Sequence, residues 1–160
     1  MNIFALNDDP RQAALDQCNK HIVKMPLESV QMLCTALRAA DPSAQLPYRS
    51  THNNHPCIRW VGESTANTAW LHIHARELCR EYTRRYGRRH KSEDALDMIA
   101  PMLPTVGWAN HSAFVMTMPD EWKQSDVVAA YRTFYIAVKS RFARWAPRAR
   151  PPLWWPLVET

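Results

Sequence analysis

His21, Lys24 and Glu28 lie in the segment His21-Ile-Val-Lys24-Met-Pro26-Leu-Glu28-Ser-Val-Gln-Met-Leu. A spacing of seven residues is close to two helical turns, so on a continuous helix His21 and Glu28 project from one face, with Lys24 between them. A proton carrier, a cation and a carboxylate on one strip are the parts of an acid–base site. The same pattern also describes the wet face of an amphipathic helix, and spacing alone does not separate the two.

A second set of candidates follows this segment. Tyr48, His52, Asn53, Asn54 and His55 stand in a polar, proline-punctuated stretch from Asp41 to Cys57 that reads as a loop. Polar and aromatic side chains of this kind can hold an extruded base by stacking and by its hydrogen-bonding edge. Asn53-Asn54 as a turn and His55 as a helix cap is the plainer account. His52, His55 and Cys57 cluster, as do His72, His74 and Cys79, but neither group has the paired spacing of a zinc site. No metal and no cofactor is expected.

Charge is informative through its placement. The chain of 160 residues carries a formal net charge of +5. Arg76, Arg80, Arg84, Arg85, Arg88, Arg89 and Lys91 face only Glu77 and Glu81, giving +5 between residues 76 and 91. Lys139, Arg141, Arg144, Arg148 and Arg150 add another +5 without an acid, so the remainder sums to −5. Two basic blocks on a mildly acidic body point to a polyanion surface, and arginine is the residue that pairs with phosphate. Double-stranded DNA is the expected partner, with Arg76, Arg80, Arg84, Arg85, Arg88, Arg89, Lys91, Arg141 and Arg144 as contacts.

The elements that must position these groups are helices. Only three glycines occur, and no Asn-Gly or Asp-Gly hairpin pair is present. Asp9-Pro10 opens a helix to about Lys20, and a second carries the His21–Glu28 face to about Ala40, with Pro26 kinking it or marking its start. Ser64 caps a long helix through Tyr86, stopped by Gly87. Ser92 caps a short helix to about Ala100. Ser125-Asp126 open the last, to about Trp145, with Val128, Tyr131, Tyr135 and Val138 as its apolar stripe. The expected fold is all-α: one compact domain over residues 1–160, about five helices with long connecting loops, monomeric. Its Pro/Trp-rich tail, 147–160, should pack on the body. Hydrophobic content of 46% suits one globular core, no apolar run is long enough to span a membrane, and Cys18, Cys34, Cys57 and Cys79 are scattered. The N-terminal residues carry no basic leader, so a cytoplasmic protein with reduced thiols is expected.

Several motifs resemble a family. They are Asn2-Ile-Phe, Asp9-Pro10, Lys20-His21-Ile-Val-Lys-Met-Pro-Leu-Glu28, His52-Asn-Asn-His55-Pro56, Trp60-Val-Gly-Glu63-Ser64, Glu81-Tyr-Thr-Arg-Arg-Tyr-Gly87, Met118-Pro-Asp-Glu121 and Tyr131-Arg132. Together they resemble small phage-encoded proteins regarded as pyrimidine-dimer DNA glycosylases of the phage endonuclease V type. The resemblance implies a compact all-α enzyme that binds and distorts duplex DNA at a pyrimidine. Its N-terminal α-amine would attack the sugar C1′, release the base and form an imine, with a glutamate at the position of Glu28 assisting; β-elimination can then nick the strand. An α-amine is a weak enough base to be partly neutral at cellular pH, and a neighbouring carboxylate can move its protons. Asn2 is bulky, so Met1 is expected to be retained and to carry the amine, with Lys20 and Lys24 as substitute amines and Asn2 near the base pocket. Two other functions fit the same features. One is a phage DNA-hypermodification enzyme that attaches a group such as an amino acid to an activated 5-hydroxymethyluracil. The other is a DNA-binding protein without catalysis.

Overall fold

A computed structural model describes residues 1–156. The described residues form six α-helices: α1 Pro10–Leu15, α2 Asn19–Ala40, α3 Pro56–Glu63, α4 Thr65–Tyr86, α5 Ser92–Ile99 and α6 Val127–Lys139. Two 3-10 turns, Ala100–Met102 and Asp120–Trp122, punctuate the connections. Among the described residues there is no strand, and the all-α expectation holds. Residues 157–160 of the expected tail lie outside the described part.

Side-chain capping sets several helix starts. The Asp9 carboxylate accepts from Arg11 N at 2.8 Å with Pro10 following, Ser64 Oγ accepts from Asn67 N at 3.1 Å, and Asp126 accepts from Ala129 N at 3.0 Å. Gly87, at φ +70°, stops α4 in the left-handed conformation that glycine adopts freely. Five boundaries differ from expectation, the first being that Ser92 opens α5 as a helical residue behind Lys91 and does not cap it. α1 ends at Leu15, and a break over Asp16–Cys18 precedes α2. α2 runs unbroken through Pro26, so His21 and Glu28 do share a continuous helix. α3 takes the C-terminal end of the expected loop, because the His55 ring caps it: Nδ1 accepts from Cys57 N at 3.2 Å, with Pro56 at the first position. α6 stops at Lys139, short of Trp145.

α4 is the central element, with α1, α2, α3 and α5 packed on it. It buries residues on several sides, among them Trp70, Leu71, His74, Leu78 and Tyr82. Trp60 and Trp70 are fully buried and meet edge to face at 6.0 Å, anchoring α3 against α4. The first residues behave as core: Asn2, Ile3, Phe4, Ala5 and Leu6 are all buried. The segment is held by Gln17 Nε2, which donates to Ile3 O at 3.3 Å, and by Arg132 Nε, which donates to Leu6 O at 2.8 Å. In the tail, Trp154 Nε1 donates to Asp16 Oδ2 at 2.8 Å and the Trp155 ring lies 4.8 Å from that of Trp145.

Candidate active site

Glu28 and the head of the chain meet. The backbone N–H of Asn2 donates to Glu28 Oε2 at 3.2 Å, and Lys24 Nζ lies 3.0 Å from Glu28 Oε1. The carboxylate is 12% exposed and Lys24 is 65% exposed, so the pair sits at the rim of the body with the lysine outermost. Asn2 does more than pass by. Its Oδ1 accepts from Phe4 N at 2.8 Å, closing a turn that holds Phe4 at φ +53°. A phenylalanine in the left-handed region costs roughly 1–2 kcal/mol, which the packing around it must offset. That packing is specific: the Phe4 ring stacks on the His21 imidazole at 4.5 Å, and Lys139 Nζ lies 5.6 Å from its centre.

His21 shares a helix face with Glu28 but meets different partners. Tyr135 OH accepts from Cys18 N at 3.1 Å and shares a hydrogen bond of 2.6 Å with His21 Nδ1. Burial pushes the His21 pKa down to about 3, and the charges of Lys139, Lys24 and Lys20 act in the same direction. His21 is therefore a neutral core histidine that fixes Phe4 and so the path of the first residues.

The expected base-pocket residues divide into separate places. His55, capping α3, lies near enough to the chain's α-ammonium and to Glu28 to feel both: burial lowers its pKa first, the N-terminal and His52 charges lower it further, and Glu28 opposes them. Tyr48 instead lines a groove of about 530 Å³ with Lys24, Tyr82, Arg88 and Lys91. Asn53 faces another groove with Ala36, Ala39 and Ala40, and Asn54 Oδ1 accepts from Arg59 at 3.4 Å. Ala36 lies eight residues beyond Glu28, about 12 Å along α2, so the groove that Asn53 faces opens further along the helix than the carboxylate. His52 is exposed, with Nδ1 2.6 Å from Thr51 Oγ1.

The arginine stretch needs correction. Arg85 is 4% exposed and does not reach solvent. Its Nε donates to Glu81 at 2.8 Å and its terminal nitrogens donate to Gln17 O, Asn19 Oδ1 and Leu15 O, so it ties the α1–α2 junction to α4. Arg84 shares Glu81, Arg80 pairs with Glu77, Arg76 with Asp97, and Arg89 with Glu93, Asp94 and Asp97. Burial would raise the Glu81 pKa, but the hydrogen bonds from Arg84 and Arg85 outweigh it and hold the carboxyl below its ordinary value. Of that stretch only Arg88 and Lys91 have no carboxylate partner among the described residues. Arg144 is exposed and donates to Ser140 O and Ala143 O, and the Arg141 guanidinium lies 6.0 Å from the Phe142 ring.

The structure brings together cations that lie far apart in the sequence. Lys20 Nζ lies 4.6 Å from the Phe142 ring, and burial together with the charges of Arg141, Lys24 and Lys20 lowers the Lys139 pKa. Lys20, Lys24, Lys139 and Arg141 thus form one positive patch where α2 begins and α6 ends, beside Glu28. The signal was present for two of them, since Lys20 and Lys24 sit one turn apart, but the approach of α6 was not visible locally.

A carboxylate at hydrogen-bonding distance from the head of the chain, on a positive rim, can exchange protons with an amine while a polyanion lies across it. Among known proteins, the family described as pyrimidine dimer DNA glycosylase matches residues 1–95, a span that includes Asn2, Lys24, Glu28, Tyr48 and His55. No curated protein and no solved structure gives a match.

Proposed function

The chain belongs to the pyrimidine dimer DNA glycosylase family, and from that membership and the geometry at Glu28 we propose that it cleaves the N-glycosidic bond of a pyrimidine nucleotide in duplex DNA. The nucleophile in this reading is the α-amine at the head of the chain. Its lone pair attacks C1′, the C1′–N bond to the base breaks, and the base leaves with the bonding electrons and takes up a proton. The new C1′–N bond then collapses to an imine as the sugar ring opens, and Glu28 carries the protons to and from the nitrogen. Loss of a C2′ proton from that imine would eliminate the 3′ phosphate and nick the strand.

The single observation that carries the reading is the 3.2 Å contact between Asn2 N and Glu28 Oε2. With Met1 in place, the peptide nitrogen of Asn2 is a hydrogen-bond donor without nucleophilic character, and the reactive amine is one residue further out, on partly buried Met1. Removal of Met1 would put a free amine at the Asn2 nitrogen itself. Both forms leave the amine within one residue of the carboxylate. Lys20, Lys24, Lys139, Arg88, Lys91, Arg141 and Arg144 would hold the phosphates.

Mass spectrometry of the DNA products, after incubation with duplex DNA containing pyrimidine dimers, tests the reaction class. A strand with a cut glycosidic bond, abasic or nicked at that sugar and with the cut base still joined to its dimer partner, supports the proposal. A nucleoside of added mass with an intact glycosidic bond would replace it with a base-modifying reaction, and unchanged DNA bound with salt-sensitive affinity would leave a binding protein.

A further inference from the structure

The head of the chain lies between two helices. On the α2 side, Glu28 Oε2 accepts from Asn2 N at 3.2 Å. On the other side stands the first turn of α3, which packs against α2. Burial pushes the pKa of the Cys57 thiol, in that turn, up to about 11 with Glu28 adding to it, while the Thr117 hydroxyl, the Ile3 N–H and the α-ammonium act in the opposite direction. The amine and the residues just after it therefore face the opening of α3.

His55 caps that opening. A backbone N–H can only donate, so the 3.2 Å contact from Cys57 N requires a bare Nδ1 and puts the ring proton on Nε2. Pro56, first in the helix, has no N–H to compete for the ring. Nε2 has no hydrogen-bond partner among the described residues, and the side chain is only partly buried, so its N–H is free to meet a ligand. The positive end of α3 disfavours a second proton on the ring. The charged and titratable groups around it are the α-ammonium, His52 and Glu28. A neutral imidazole held this way donates a hydrogen bond without giving up its proton, the form suited to polarise a carbonyl. Loss of a pyrimidine from C1′ creates a need for such a donor. The bonding pair moves onto N1 and spreads to the O2 carbonyl oxygen, where a carboxylate such as Glu28 can only repel it. A fixed N–H aimed at charge that develops during reaction favours the transition state over the ground state.

We propose that His55 is this donor: its Nε2–H bonds to O2 of the departing pyrimidine while the α-amine attacks C1′. The proposal rests on the reading that the head of the chain attacks beside Glu28. The imidazole keeps its proton throughout, and the proton that the base finally takes up is the one lost by the attacking nitrogen. An abasic site has no base to expel, so the same amine forms its imine there without help from His55.

Two variants and two substrates separate this role from the cap. Asparagine is a good helix cap, so His55→Asn keeps the start of α3 while its shorter side chain withdraws the donor; His55→Ala removes both. In single-turnover reactions on dimer-containing duplex, His55→Asn should cleave the glycosidic bond about 100-fold more slowly, the scale of one lost donor at a developing charge. Borohydride trapping of the same variant on duplex with a ready-made abasic site should keep the unaltered rate, and its Tm should match that of the unaltered protein. His55→Ala should show the same split between substrates with a lower Tm. Nitrogen-15 NMR of the unaltered protein, which depends on no variant, should find Nδ1 bare and Nε2 protonated at neutral pH. The reverse tautomer, dimer cleavage by His55→Asn at the unaltered rate, or slowing by the same factor on both substrates would overturn the proposal and leave the reaction at Glu28 standing. If the unaltered protein neither cuts the dimer strand nor is trapped on the abasic site, the glycosylase reading fails and the role of His55 falls with it.

Discussion

Glu28 carries the account at the scale of single residues. Its carboxylate accepts from Asn2 N and pairs with Lys24 at the rim, so Glu28→Gln changes charge with almost no change of shape. We expect that variant to keep its fold and its DNA affinity while cleavage of the glycosidic bond slows about 100-fold or more, the usual scale for a positioned acid–base group. Single-turnover kinetics on dimer-containing DNA measure this, and full activity in the variant would remove Glu28 from the mechanism. The residue types at the site were legible in the sequence: His21, Lys24 and Glu28 do share a face, and Glu28 does stand by the first residues. The role of His21 was not, because its partners Phe4 and Tyr135 are 17 and 114 residues away and spacing carries no information about them. A local cue existed in the apolar run Ile3-Phe4-Ala5-Leu6, which marks the start of the chain as core.

Helices explain why so many arginines are not free. On α4, Arg84 and Arg85 follow Glu81 by three and four residues, the spacing at which side chains on one helix meet. That spacing was visible in the sequence, and it makes much of the +5 block an internal ion network. Burial of Arg85 was not visible, because it depends on the α1–α2 break at Asp16–Cys18. Arg85→Ala would leave Gln17 O and Leu15 O without their donor and Glu81 short of one partner. We expect a loss of about 3 kcal/mol in urea unfolding, the scale of breaking a buried pair. Arg88→Ala should leave stability nearly unchanged, weaken DNA binding and lower the salt slope by about 0.9. An unfolding cost for Arg88 similar to that for Arg85 would contradict this division. α3 went unseen because a histidine ring is an uncommon cap, although His55-Pro56 has the order of a cap followed by a first-turn proline.

The molecule as a whole is expected to be acid-sensitive through its buried histidines. Burial lowers the pKa of His21 to about 3 and of His74 to about 4, against about 6.5 in the unfolded chain. The unfolded state therefore takes up protons that the folded state refuses. Stability from these groups is complete above pH about 6.5 and is lost as pH falls toward 4, by up to about 1.4 kcal/mol per pH unit for each histidine. Thermal melts from pH 7 to pH 4 should show a falling Tm, and a flat profile would contradict the neutral, buried assignment. The all-α architecture was legible from capping residues and scarce glycine, since these are local. How the two ends of the chain close around α2 was not, because it is set by long-range pairs such as Arg132 to Leu6 O and Trp154 to Asp16. That closure is what places the head of the chain at Glu28, and borohydride trapping with abasic-site DNA tests it most directly. The account predicts a covalent protein–DNA adduct whose peptide map places the sugar on the α-amine of Met1, or of Asn2 if Met1 is removed, and an adduct on Lys20 or Lys24, or none at all, would contradict it.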